Sequence, residues 1–101
     1  IVAIRDACQK LNTFNLSGSD LYSSCEPCPM CLSAIYWSHI DNIFYANTRD
    51  DAKKINFDDS FIYSEFSKKI EDRKIPIKQI LRDEAIKAFE LWNKKIDKIE
   101  Y

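Results

Sequence analysis

Apolar residues recur at Ile1, Ile4, Cys8 and Leu11, the three- and four-residue spacing of one helix face, while Arg5, Asp6, Gln9 and Lys10 fall on the other face. This pattern predicts an amphipathic helix over residues 1 to about 12, with Cys8 as a buried structural thiol. Asn12 to Asp20 holds the single glycine, Gly18, among Asn and Ser, and predicts a loop. Leu21 and Tyr22 then predict a short buried strand. Pro27 suits the position where a loop becomes a helix, and the apolar run behind it predicts a helix from Cys28 to about Ser38. Ile43 to Ala46 is a continuous apolar run of strand length. Strand, helix and strand in so few residues predict a βαβ unit with parallel pairing and a right-handed crossover.

The second half alternates between polar and apolar stretches. Asn47 to Asp59 is polar, with Asp50 and either Asp58 or Asp59 as helix N-caps ahead of Phe61, Ile62 and Phe66. Lys68 to Lys74 reads as a charged, solvated connector. Ile75, Ile77 and Ile80 around Pro76 predict a short strand at a sheet edge, since proline cannot donate to a ladder. From Asp83, a good N-cap, Ile86, Phe89, Trp92, Ile96 and Ile99 predict a long amphipathic helix over residues 83–99.

The chemistry concentrates in Ser24 to Ile35, Ser-Cys-Glu-Pro-Cys-Pro-Met-Cys-Leu-Ser-Ala-Ile. Cys28 and Cys31, three apart at the start of a helix, project from one face and suit a shared metal ion. The positive end of the helix dipole favours thiolate over thiol there. An iron–sulfur reading of Cys25, Cys28 and Cys31 wants a fourth cysteine where Ile35 stands. A structural zinc site wants two more ligands, yet His39 lies about 12 Å along the helix at 1.5 Å per residue. A redox Cys-x-x-Cys pair stays open as the alternative.

With 101 residues, 46% hydrophobic and 13% aromatic, the chain has the composition of one packed domain. Fifteen basic and sixteen acidic residues give a net charge of -1, which advertises no polyanionic partner and favours a small base or nucleoside over a long nucleic acid. No apolar run is long enough to span a bilayer. Three cysteines crowded within seven positions suit a reducing compartment such as the cytoplasm better than a disulfide framework.

Pro-Cys-x-x-Cys is the second half of the zinc nucleobase-deaminase signature, whose first half is His-x-Glu. The longer string Cys25 to Trp37, with Phe57-Asp58-Asp59-Ser60-Phe61-Ile62-Tyr63 and a terminal Glu100-Tyr101, resembles the bacterial guanine deaminases of the cytidine deaminase-like superfamily. The resemblance implies a three-layer α/β/α sandwich around a mixed sheet, here without its N-terminal helix and first strands. It also implies zinc held by Cys28 and Cys31. The third ligand and the proton-carrying glutamate, in the family's His-Ala-Glu, are expected immediately upstream of Ile1. By the same resemblance Asp59 is a second acid or purine contact, Phe57 a pocket aromatic, and Tyr101 a residue whose C-terminal segment crosses to a partner in a swapped homodimer. Residues alone favour capping for Asp59, and for Phe57 an ordinary core phenylalanine would look identical. The implied activity is hydrolytic deamination of guanine to xanthine. The alternatives are a tRNA adenosine or other nucleoside deaminase, or a zinc or redox protein without turnover.

Overall fold

The computed structural model describes residues 1–101. Its elements run α1 (Val2–Leu11), β1 (Asp20–Cys25), α2 (Pro29–Trp37), β2 (Asn42–Asn47), α3 (Arg49–Lys54), α4 (Ser60–Ser67), a 3-10 turn (Ile70–Asp72) and α5 (Arg82–Lys94). They group into two compact units, residues 1–68 and 69–101.

In the first unit, β1 and β2 pair in parallel with α2 between them, which is the predicted βαβ arrangement. Asp20 stands opposite Asn42 and Cys25 opposite Asn47. β1 is longer than the Leu21–Tyr22 pair predicted, and it alternates: Leu21, Ser23 and Cys25 are half-buried while Tyr22 faces out. Tyr22 is therefore not buried. It stacks on Phe44 of the neighbouring strand at 4.9 Å, and this cross-strand pair lies on the open face of the sheet.

α1 forms as predicted and ends at Asn12, whose left-handed φ of 51° lets the Thr13 N–H return to the Cys8 carbonyl at 3.0 Å. Ile4 and Cys8 are half-buried, but Leu11, where the helix stops, is exposed. The core lies at the far end of α2. Leu16 and Ile35 are each 3% exposed, and the buried Ser38 hydroxyl donates to the Ile35 carbonyl at 3.1 Å. The loop before β1 is sewn to this end: Leu16 N–H donates to the Ser38 carbonyl at 2.8 Å, and Gly18 N–H to the Asp41 carboxylate at 3.0 Å. Gly18 sits at φ 85°, a conformation that costs other residues more.

Within residues 1–101 the sheet consists of two parallel strands, part of the expected α/β architecture. Two expectations are corrected. Ile75 to Ile80 form no strand. Ile75, Ile77 and Ile80 stand exposed, and strand propensity without a neighbouring strand leaves the backbone irregular. In the second unit, α5 starts after Leu81 rather than at Asp83, so that Asp83 and Glu84 lie in its first turn, where negative charge suits the dipole. It also ends at Lys94 instead of 99. Lys95 takes an extended conformation, Lys98 Nζ reaches the Asn93 carbonyl at 3.4 Å, and Ile96 and Ile99 are exposed beyond the helix.

Ile35→Ala in the full-length protein is expected to cost about 2–5 kcal/mol, because it empties one of the two buried core sites, Leu16 being the other. Thr48→Ala, which removes a helix cap, is expected to cost about 1 kcal/mol. Urea unfolding checks both.

Candidate active site

Parallel pairing brings the carboxyl ends of β1 and β2 level, the usual place for a ligand in such a sheet. Each strand runs directly into a turn and a helix. The first turn, Cys25-Glu26-Pro27-Cys28, is bonded to the second at several points. Glu26 N–H donates to the Asn47 carbonyl at 2.8 Å, Asn47 Nδ2 to the Ser24 carbonyl at 2.9 Å, and Arg49 N–H to Glu26 Oε2 at 3.0 Å.

α2 begins one residue later than predicted. Cys28 is extended, at φ -65° and ψ 167°, and occupies the N-cap, with Pro29 as the first helical residue. Cys31 is then the third helical residue, so the pair has the N-cap-to-N3 relation in which side chains face each other. Burial pushes the Cys31 thiol up, and the hydrogen bond and charge of the adjacent Cys28 push it the same way, opposite to the helix-dipole preference for thiolate. Two neighbouring sulfurs are a donor set that suits a soft divalent cation, and they could fill two of zinc's four positions. No group of three or more His, Cys, Asp and Glu side chains gathers to complete the shell within the chain. His39 lies beyond α2, in a left-handed conformation at φ 57°.

A cleft of about 880 Å³ opens beside this turn, and Cys28, Glu26, Arg49, Phe57, Asp59 and Phe61 are among its walls. Thr48 caps α3 through a capping box with Asp51, so Asp50 is not the cap that the sequence predicted. Asp58 and Asp59 divide the entry to α4. Asp58 accepts the Ser60 N–H at 2.9 Å, whereas Asp59 occupies the N-cap position without capping. The Asp59 carboxylate instead accepts from Arg49 Nε at 3.3 Å, and the guanidinium lies 3.6 Å from the Tyr63 ring centroid. The cleft thus brings together Cys28, Phe57 and Asp59. Cys31 lines the adjoining hollow with Cys28. Tyr101 belongs to the second unit. Glu26 and Arg49 escaped the sequence reading: Glu26 stood inside the cysteine string without a role, and nothing in sequence links Arg49 to an acid ten residues on.

Residues 1–47 match the family model described as the cytidine and deoxycytidylate deaminase zinc-binding region. The first 47 residues are thus similar to this deaminase family, and the fold is the cytidine deaminase-like α/β fold. Over all 101 residues it is 46% identical to guanine deaminase of Bacillus subtilis, spanning 65% of that protein. The crystal structure of guanine deaminase from Bacillus subtilis superposes with a TM-score of 0.93 at 47% identity, covering 98% of this chain and 63% of that one. The tRNA-specific adenosine deaminase of Rickettsia bellii is 44% identical over 45 residues, 45% of this chain and 31% of that protein. The chain therefore spans just under two thirds of the guanine deaminase that it resembles. Zinc is the cofactor that the zinc-binding deaminase region implies.

The cleft wall is sensitive to acid. Hydrogen bonds from Thr48 hold the Asp51 carboxyl at about 2, and those from Ser60 hold Asp58 at about 2, against an ordinary 3.8. A folded value below the unfolded one contributes stability that is present above about pH 3.8 and is lost as pH falls towards 2. Hydrogen-exchange protection over residues 48–67 is expected to fall between pH 5 and pH 2.5 by more than that of α1.

Proposed function

We propose that the protein to which this chain belongs catalyses the hydrolytic deamination of guanine, giving xanthine and ammonia. The observation that carries this reading is the 46% identity to a guanine deaminase across the entire chain. Cys28 and Cys31 hold zinc from the start of α2. When bound, the ion supplies a nucleophile at neutral pH by lowering the pKa of water to about 7. Within residues 1–101 no further metal ligand gathers at the thiols.

Within the cleft, Asp59 acts as the second acid or purine contact. Its carboxylate accepts hydrogen bonds from the N–H donors of guanine, whose 6-carbonyl and 2-amine fix its orientation. Phe57, exposed on the cleft wall, offers an aromatic face to the flat base. Tyr101 closes the site of a second subunit in a homodimer formed by exchange of the C-terminal segment. Support for a second copy comes from the exposed Phe89, Leu91 and Trp92 of α5, more apolar surface than one helix usually leaves in water. No helix is long and apolar enough to cross a membrane. The four cysteines are all free thiols, which suits the cytoplasm.

The test is to incubate the full-length protein with guanine and measure xanthine and ammonia. Asp59→Asn is expected to lower turnover by about 10²–10⁴-fold with zinc content unchanged. Consumption of adenosine or tRNA in place of guanine transfers the activity to the nucleoside class, and loss of zinc in the variant makes Asp59 structural. Sedimentation is expected to give a dimer, and deletion of Glu100 and Tyr101 to depress guanine turnover. A monomer, or full activity after the deletion, removes the exchange.

A further inference from the structure

We infer that Arg49 is the positioning residue for the Asp59 carboxylate, fixing it relative to the turn that carries Cys28. The inference rests on the guanine-deaminating role proposed for this cleft. Three contacts of Arg49 meet in one place. Its backbone N–H is held by Glu26 Oε2 at 3.0 Å, which anchors it to the cysteine turn. Its Nε donates to Asp59 Oδ1 at 3.3 Å, and Tyr63 supports the guanidinium face at 3.6 Å. The side chains of Arg49 and Asp59 are 34% and 20% exposed, so both still reach the cleft.

The geometry also explains why an arginine serves here. A guanidinium is planar and offers donors at fixed angles, so a ring beneath it and an anchored backbone leave its Nε–H with one direction. The bond is made to Oδ1, which leaves Oδ2 for a substrate N–H. Asp59 belongs to the entry of α4 and Cys28 to the entry of α2, and the chain Glu26–Arg49–Asp59 is what links the two at side-chain level. Arg49 does not react; it acts through Asp59.

A double-mutant cycle in the full-length zinc enzyme tests this. R49M is expected to lower kcat/KM by about tenfold to hundredfold, the range for loss of one hydrogen bond to a charged group, with zinc content and urea midpoint retained. R49M combined with D59N is expected to be no slower than D59N alone, because the arginine has nothing left to place. Full activity in R49M, or losses that multiply in the double variant, overturns the inference. Should R49M lose zinc or stability, R49K keeps the charge without the Nε–H and is read in the same cycle by the same criteria. The cycle uses whichever amine-bearing base the wild-type protein consumes. Failure on guanine therefore overturns the substrate reading alone, while full activity in D59N overturns the role of Asp59 and the inference with it.

Discussion

The register of β1 against β2 is the constraint on which the site depends. Cys25 pairs with Asn47, so both strands end at the same level and their following turns start side by side. A slip of one residue would send every side chain of the strand to the opposite face and carry Glu26 away from Asn47 and Arg49. What prevents the slip is spread along the pair: Leu16 and Ile35 buried at one end, Asn42 Nδ2 bonded to Asp20 at 2.8 Å, and the Asn47 and Glu26 bonds at the other. The core is small, and the polar bonds at the site end supply much of the specification that packing supplies at the other.

The thiol pair works against this economy. Burial and the neighbouring Cys28 push Cys31 towards the neutral form. A bound cation would supply the positive charge that favours its thiolate, so Cys31 is better suited to a metal site than to the bare fold. The Arg49–Asp59 pair has a similar character: a partly exposed single bond of this kind adds about 0–1 kcal/mol to folding, so its geometry matters more for placement than for stability.

The βαβ unit was legible because each of its parts is a short apolar run bounded by polar residues, and pairing follows from the brevity of the connection. The start of α2 was less so. Pro27 and Pro29 both suit the first helical position, and only the backbone chooses Pro29, moving Cys28 from the helix to its cap. The spacing to Cys31 survives this, since cap and third residue face one another as neighbours on one helix face do. Ile75 to Ile80 and the end of α5 were misread for a common reason. Their apolar pattern states what they would do beside a partner surface, and Ile77 and Ile96 are left exposed. Arg49 gave no signal because its partners lie far along the chain, Glu26 in the cysteine turn, Asp59 at the entry to α4 and Tyr63 within it.

Asp58 and Asp59 show why adjacent identical residues need coordinates to be told apart. Both satisfy the preference for an acid before a helix, and the dihedral position of the cap belongs to Asp59. Yet Asp58 takes the Ser60 N–H and pairs with Lys53 at 3.2 Å, serving the helix end from one residue further back. That leaves the Asp59 carboxylate unengaged with its own helix and free to turn towards Arg49. A single aspartate here would have to choose between starting α4 and facing the cleft; with two, capping of the helix and placement of an acid beside the cysteine turn are separate functions.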